Sequence, residues 1–216
     1  MTQASHYGHQ TQVGDFLNIS ANARLGSGLQ FGGGLDSGRI VTDKCFVVDS
    51  PQDLLNCHIV QPFKTNTQLK VNGSYRFPWD VVISGIFRNE SALRAAAGGA
   101  TLSIEANYPA PNDLIVPSLG RNLAACGARA VCTATATVPL FSPYTQFEAR
   151  LSQLDLRLTK GFKVGATGRL QANLDIYNAL NAAPITGIQI TYGSLWKLPT
   201  QILEGRLVQF SGQLTF

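Results

Sequence analysis

Apolar and polar residues alternate along most of the chain, which is the two-residue period of a β-strand whose faces meet different surroundings. In segment 168–178, for example, Leu170, Ala172, Leu174 and Ile176 point to one side and the residues between them point to the other. The pattern predicts about seven strands of roughly ten or more residues, a length typical of strands tilted across a bilayer. These strands are predicted at 13–25, 29–41, 65–77, 79–89, 147–160, 166–178 and 203–216.

The connections between the predicted strands alternate between short and long. The short connections are 26–28, the corner at Pro78 and 161–165, and the long ones are 42–64, 90–146 and 179–202. Outer-membrane barrels sort their connections in this way, with short periplasmic turns and long extracellular loops. We therefore predict an all-β fold, an antiparallel transmembrane β-barrel segment over 13–216 that follows a disordered stub at 1–12.

The polar faces of the strands carry mostly Asn, Gln, Ser and Thr with isolated charges, which suits a hydrated lumen better than a Lys- and Glu-rich outer surface. Aromatic residues gather near strand ends, where the girdles of membrane barrels lie; they are Tyr75, Phe77, Trp79, Phe162, Tyr177 and Phe216. The lumen-facing residues are predicted to be Asp155, Arg157, Arg169, Gln171, Asn173 and Asp175. The lipid-facing residues are predicted to be Leu154, Leu156, Leu158, Leu170, Leu174 and Ile176.

Four of the lumen residues carry charge and sit on two strands that the connection 161–165 joins. If that connection pairs Lys160 with Ala166, Arg157 faces Arg169, and Asp155 lies diagonally from Arg169. We expect a charge ladder that packs against a plug or water. The alternative is a conduit for an anionic or polar substrate.

Composition and charge argue against several other classes of protein. Charged residues make up 14% of the chain, against roughly 25% in a typical soluble domain. The net charge of +4 is scattered, without the basic stripe of a nucleic-acid-binding protein, so no nucleic-acid partner is expected. No run approaches the ~18 apolar residues of a membrane helix, and no signal peptide is visible at the N-terminus.

The candidate chemistry is limited to cysteines and histidines. Cys45 and Cys57, and Cys126 and Cys132, form two near pairs in predicted extracellular loops, where export permits disulfides. Zinc is the alternative, although the spacings do not match the short pairs of structural zinc sites. His6, His9 and His58 give no metal site, and neither a nucleophile elbow nor a phosphate loop is present. We expect no enzyme activity and no cofactor.

Several stretches resemble the C-terminal part of TonB-dependent outer-membrane transporters, of the Oar-like branch that bears a carboxypeptidase regulatory domain. They are LDIYNALNA, YGSLWKLPTQILEGRLVQFSGQLTF, SLGRNL and GRIVTDKC, and the resemblance covers residues 12–216. In that family the last strand resembles the signal that the barrel assembly machinery reads. The resemblance gives this role to Val208, Phe210, Leu214 and Phe216.

The chain also departs from that family, whose members carry an N-terminal plug domain, a segment that engages TonB, and further strands. The predicted count of about seven strands is odd, whereas bacterial single-chain barrels have an even number from 8 upward. The first and last strands would also be unpaired, which leaves two open edges that lipid does not tolerate. We therefore expect a C-terminal fragment of a larger barrel or a truncated gene product. Its expected partners are outer-membrane lipid, the barrel assembly machinery, upstream strands, a plug and TonB.

The resemblance implies that the protein lies in the cell outer membrane of a Gram-negative bacterium. It further implies uptake or export of an unidentified solute by the full-length protein. A surface-anchored barrel that serves adhesion or binding is one alternative. A soluble ligand-binding β-barrel is another, because such barrels also alternate apolar and polar residues.

Overall fold

The computed structural model describes residues 8, 10–26, 28–45, 51–93, 102–129, 131–165 and 167–216. Within these ranges the strands are β1 (Thr11–Arg24), β2 (Leu29–Asp43), β3 (His58–Gln61), β4 (Gln68–Phe77), β5 (Val81–Glu90), β6 (Asn107–Pro111), β7 (Thr135–Pro139), β8 (Leu151–Val164), β9 (Gly168–Tyr177), β10 (Ile185–Ile188), β11 (Pro199–Ile202) and β12 (Leu207–Thr215). The helices are α1 (Phe63–Asn66) and α2 (Asn112–Leu119), with short 3-10 helices at Pro51–Asn56 and Ala124–Cys126. Among the described residues, no helix has the length and apolar character needed to cross a membrane.

One large antiparallel sheet dominates the molecule. Its strand order is β1-β2-β4-β5-β8-β9-β12, and β3 pairs with the outer part of β2. This confirms the predicted all-β, antiparallel class, and each of the seven long strands overlaps one predicted from the alternation. β1 and β12 form the two edges of the sheet as described. β1 begins at Thr11, so it includes the last two residues of the predicted stub, and residues 1–7 and 9 lie outside the described residues.

Every short connection lies at one end of the sheet, the turn end, and every long connection lies at the other, the loop end. β1–β2, β4–β5 and β8–β9 are joined at the turn end; the spans 44–67, 91–150 and 178–206 lie at the loop end. The β4–β5 turn holds both Trp79 and Asp80 in the left-handed region, with φ of 67° and 57°. Consecutive left-handed residues match the right-handed twist of the flanking strands, so this turn can stay short.

The expected pairing of Lys160 with Ala166 is wrong, since Lys160 stands opposite Ala172. β8 does not stop at residue 160 but runs through the stretch predicted as a turn to Val164, which faces Gly168. Gly165, with φ of 67°, accommodates the tighter reversal. The longer hairpin shifts every opposing pair of residues on β8 and β9.

Arg157 therefore faces Asp175, and it does not face Arg169 as expected. Arg169 stands opposite Lys163 near the turn end, so Asp155 is not its diagonal neighbour. The shift places Arg157 opposite Asp175, and opposite charges are the favourable arrangement across a strand pair. It also places the like charges of Lys163 and Arg169 opposite each other, next to the turn.

The long connections are folded, and the sequence patterns did not predict the short strands within them. β6 pairs with β7, and β10 pairs with β11. Among the described residues, the buried apolar side chains fall between residues 92 and 151, outside the interior of the large sheet; they are Ala92, Leu93, Ile104, Ala106, Ala110, Ile115, Leu123, Cys126 and Leu151. The hydrophobic core thus lies at the loop end. We call the folded loop-end connections together, that is the described residues of 44–67, 91–150 and 178–206, the cap.

Arg150 ties the cap to the sheet, immediately before β8. Its Nε donates to Asn89 Oδ1 at 2.6 Å, its Nη1 to the carbonyl of Lys64 at 2.9 Å, and its Nη2 to the carbonyl of Thr67 at 2.6 Å. The Lys64 ammonium in turn lies 3.9 Å from the centre of the Phe147 ring. One planar guanidinium thereby joins the end of β5, the connection 44–67 and the start of β8.

We expect Arg150→Lys to lower the free energy of unfolding by about 2–3 kcal/mol, because the single nitrogen of an ammonium keeps the charge but cannot reach acceptors that are spread around a planar guanidinium. The measurement is urea-induced unfolding, followed by the protease sensitivity of the connection 44–67. Arg121→Lys is the control, since Arg121 is exposed and donates to the carbonyl of the adjacent Asn122. Equal midpoints for the two variants would contradict the role assigned to Arg150.

Candidate functional site

The registers of all the long strands combine to give the large sheet one apolar and one polar face. Residues that stand directly opposite in an antiparallel pair project to the same side. Leu158 on β8 faces Leu174 on β9, which in turn faces Phe210 on β12. Leu156, Ile176 and Val208 form the next such row. Rows of this kind run across neighbouring strands and join the apolar positions into one surface.

We call this surface the apolar face. It includes all six residues predicted to face lipid: Leu154, Leu156, Leu158, Leu170, Leu174 and Ile176. Its further members are Leu17, Ile19, Phe31, Leu35, Leu69, Val71, Tyr75, Ile83, Phe87, Val208, Phe210 and Leu214. Three of the four residues assigned to the barrel-assembly signal thus lie on it, and Phe216 follows β12 at the turn end.

The apolar face is widely exposed. Phe210 is 78% exposed and Ile19 is 56% exposed, and neither lies beneath another layer of the described structure. From Leu69 to Phe77 the face extends for eight residue steps, which is about 27 Å along the strand. At a tilt of about 40° that length spans about 21 Å, close to the ~25 Å apolar band of a membrane barrel. A continuous apolar surface of this size requires an apolar covering.

Aromatic side chains collect at the turn end of this face. The rings of Tyr75 and Phe77 lie edge to face with centres 4.6 Å apart. Trp79, in the neighbouring turn, is 81% exposed, and its carbonyl accepts a hydrogen bond from the Lys160 ammonium. Of the predicted girdle, Phe162 and Phe216 also lie at this end. Tyr177 is the exception, because it lies at the loop end and in register with the polar side.

The opposite side of the sheet, the polar face, carries hydrogen-bonding side chains. All six residues predicted to face a lumen project to it: Asp155, Arg157, Arg169, Gln171, Asn173 and Asp175. Arg157 and Asp175 form a two-point ion pair, with Nε 2.5 Å from Oδ1 and Nη2 3.0 Å from Oδ2. Asn173 accepts a hydrogen bond from Thr159 at 2.8 Å and donates one to Ser211 at 3.3 Å. These bonds link β8, β9 and β12 across their polar side.

Among the described residues, three cavities border the polar face. One of about 580 Å³ lies towards the turn end, beside Arg76, Arg169 and Gln213. Two others, of about 520 Å³ and about 540 Å³, lie under the cap at the loop end. The side of the sheet that borders these cavities therefore carries polar groups, and the opposite side is apolar.

Tyr144 and Glu105 from the cap line the cavity of about 520 Å³, opposite Thr42 and Gln61 of the sheet. Burial raises the pKa of the Tyr144 hydroxyl, and the negative charge of Glu105 acts in the same direction. The hydroxyl therefore stays protonated at neutral pH and can donate a hydrogen bond into this cavity. The groups around it can bind a polar molecule, but they include no nucleophile paired with a base.

Gly33, in the glycine triplet of β2, allows close strand packing. A Cβ at Gly33 would come within 2.9 Å of the carbonyl oxygen of Lys70 on β4. Next to it, the space above Gly32 is filled by the amide groups of Asn22 and Asn72 from the two flanking strands. The missing side chains thus let polar groups from β1 and β4 approach each other.

The four cysteines form two disulfides in the loop-end connections. Cys45 is bonded to Cys57, with Cα atoms 4.8 Å apart, and Cys126 is bonded to Cys132, with Cα atoms 5.4 Å apart. Cys126 also packs in the core of the cap. This arrangement leaves no thiol to bind zinc.

Of the three histidines in the sequence, His58 is the one that lies within the described residues. His58 lies at the loop end, where its Nδ1 is 2.5 Å from Asp43 Oδ1 on the paired strand. His6 and His9 lie outside the described residues. In the described part of the chain, no three histidine, cysteine or acidic side chains group as metal ligands would.

Asn178, in the YNALN stretch that carries the family resemblance, closes the turn after β9. Its φ of 49° is left-handed, and the residue is only 2% exposed. Its backbone N–H donates to Asp155 Oδ1 at 2.8 Å, and its Nδ2 donates to the carbonyls of Ala182 and Glu204 at 2.8 and 2.9 Å. Asparagine suits this position because it tolerates the left-handed region and bonds nearby backbone. The motif thus holds the connection 178–206 against the polar face.

The sequence patterns did not predict the roles of Arg88, Arg150, Gln153 and Thr186. They also did not predict the structural role of Asn178. An asparagine directly after a long strand is a turn signal that could have identified Asn178. The other four depend on partners distant in sequence, and nothing in their local pattern marks them.

Comparisons with protein-family models and with curated proteins find no match to this chain. The resemblance to TonB-dependent transporters therefore rests on the quoted motifs.

We expect Asn178→Gly to lower the free energy of unfolding by about 1–3 kcal/mol, since glycine keeps the left-handed backbone but leaves buried carbonyls without their donor. Asn178→Ala should cost about 1 kcal/mol more, because alanine also resists that conformation. Urea unfolding of both variants in the same detergent measures the difference. If the alanine variant were as stable as the unmodified chain, the amide hydrogen bonds would have no structural importance.

Proposed function

We propose that this chain is a non-enzymatic segment of an outer-membrane β-barrel, with its apolar face in lipid and its polar face towards a water-filled lumen. The single observation that carries the proposal is the exposed apolar face, which is continuous over the long strands and lies opposite a polar face that borders three cavities. A β-sheet with one apolar and one polar face can contact lipid on its outer side and water on its inner side, as membrane barrels do. In this arrangement the cap lies on the extracellular side and the turn end in the periplasm.

The chemistry of the two faces also favours a membrane barrel over a soluble ligand-binding barrel. A soluble barrel encloses its apolar side chains and turns its polar side chains to water. Here the three cavities border polar side chains, and Phe210, Ile19 and Leu158 on the other side are at least 41% exposed. A soluble barrel would need apolar side chains on the cavity side and polar side chains on the exposed side, which is the reverse of this arrangement.

We further propose that the complete protein resembles a TonB-dependent receptor or transporter and moves an unidentified solute across the outer membrane of a Gram-negative bacterium. The quoted motifs support this part of the proposal. β1 and β12 are exposed along their whole lengths, and unpaired edge groups in lipid cost several kcal/mol each. Upstream strands would pair these edges, and a plug would occupy the lumen. Lipid, the barrel assembly machinery and TonB are the corresponding partners.

A surface-anchored barrel for adhesion or binding is the second candidate, and the cap is the observation that favours it. The cap has its own buried core and carries both disulfides, which are features of a rigid surface presented outside the cell. Solute uptake by the full-length protein that stops when TonB is removed would identify a transporter. Cell-surface binding that persists without TonB would identify the adhesion barrel.

We expect Leu156→Arg and Leu174→Arg to reduce membrane assembly sharply, because an arginine on the lipid side near the midplane costs about 2–4 kcal/mol. Gln171→Arg and Asn173→Arg, on neighbouring positions of the polar face, should assemble nearly normally. The measurement is the amount of folded, heat-modifiable protein in the outer-membrane fraction. Equal losses on the two faces would remove the assignment of lipid and lumen sides.

Deletion of Phe216 should slow assembly, because the terminal aromatic belongs to the signal that the resemblance assigns to Val208, Phe210, Leu214 and Phe216. Gln213→Asn on the polar face of β12 is the matched control and should assemble at the unmodified rate. Pulse-chase labelling with separation of folded and unfolded forms measures both. A deletion variant that assembles as fast as the control would exclude this role for Phe216.

A further inference from the structure

A cavity of about 540 Å³, lined by both polar and apolar residues, lies between the loop end of the polar face and the connection that carries β10 and β11. The sheet contributes Arg88, Gln153 and Gln209 to its wall, and the connection contributes Thr186 and Glu204. Its size is that of an ordinary small-molecule site. The cavity is separate from the apolar face on which the membrane proposal rests.

Thr186 supplies a hydroxyl group that lacks a partner in this cavity wall. The residue is 6% exposed, and its Oγ1 is buried without a hydrogen bond to any described residue. Buried hydroxyl groups in proteins almost always bond to a protein group, an ordered water or a ligand. A molecule in the cavity can supply the missing bond.

The Arg88 guanidinium is also incompletely used. Its Nε donates to Gln153 Oε1 at 3.2 Å, and its Nη2 donates to the same oxygen. Gln153 is only 8% exposed, and its Nε2 donates a hydrogen bond to Asp155 Oδ1 at 2.9 Å. Within the described part of the chain Arg88 Nη1 donates no hydrogen bond, so this nitrogen has donors available for a ligand.

The wall is held in place on both sides. Asn178 binds the carbonyl of Glu204 at 2.9 Å, and the Leu203 N–H donates to the carbonyl of Pro184 at 3.0 Å. On the sheet side, Gln153 is fixed between Arg88 and Asp155. A site with positioned walls loses less conformational freedom when a ligand binds.

The charges of the wall select the chemistry of the ligand. Arg88 and Glu204 contribute one charge of each sign, so the wall favours neither a simple anion nor a simple cation. Arg88 only donates hydrogen bonds, a carboxylate only accepts them, and Thr186 and Gln209 do both. Hydroxyl groups match such a mixture because each can donate and accept, and Tyr177 adds an aromatic surface at the edge.

We propose that this cavity binds a neutral, hydroxyl-rich solute, a mono- or disaccharide, with hydrogen bonds to Thr186 Oγ1 and Arg88 Nη1. The site requires the cap to be folded over the polar face. It does not require the sheet to lie in a membrane or to belong to a transporter.

The test is equilibrium binding by isothermal calorimetry to the full chain in a detergent without a sugar head group. The probes are D-glucose and maltose, with acetate as a simple anion and glycine as a zwitterion. We expect saccharide binding, which Thr186→Val should weaken about fivefold by removing one hydrogen bond. Thr186→Ser should retain the affinity because it keeps the hydroxyl.

Thr135→Val is the matched control, since Thr135 is exposed on β7 and does not line this cavity. Saccharide binding that Thr186→Val leaves unchanged would overturn the proposal. Binding of acetate or glycine in place of the saccharides would also overturn it, as would no binding by any probe. Each of these outcomes leaves the membrane proposal intact, because outer-membrane assembly of the Leu156 and Gln171 variants is measured separately.

Discussion

The parity of the strand register is the constraint on which the rest of the structure depends. Side chains alternate along each strand, so a slip of one residue in any strand pair would move a complete set of apolar groups to the other side. Opposing pairs such as Leu158 with Leu174 and Leu174 with Phe210 keep the same parity across three strands. The Arg157–Asp175 ion pair maintains the same register from the opposite side. Both faces and the cavities between sheet and cap follow from this agreement.

Much of the large sheet could be predicted because its information is local. The alternation at Leu170, Leu174 and Ile176 assigns each residue a face without knowledge of any partner. The β8–β9 turn was misplaced because a glycine at each end of 161–165 resembles a connection, although the strand continues to Val164. Strands of four or five residues, such as β6 and β10, contain too few alternating positions to be distinguished from irregular chain.

The two faces were predictable for the same reason, and the cavities were not. The cysteines are close enough in sequence for their pairs to be recognised by spacing. Arg88, Gln153 and Thr186, in contrast, come from different strands and a connection, and only the folded chain brings them to one wall. Sequence alternation states which side a residue faces, but it contains no information about which distant residues share a cavity.

The separation of the buried core from the large sheet has a consequence for how the two parts are stabilised. The core of the cap, around Ile115, Leu123 and Cys126, draws its stability from the exclusion of water. The apolar face gains nothing from water, and in the proposed membrane location its stability would depend on the acyl chains around it. In a membrane the stability of the two parts would therefore depend on two different solvents, lipid for the strands and water for the cap. A change of lipid thickness would act on the strands, whereas salt or osmolytes outside the cell would act on the cap.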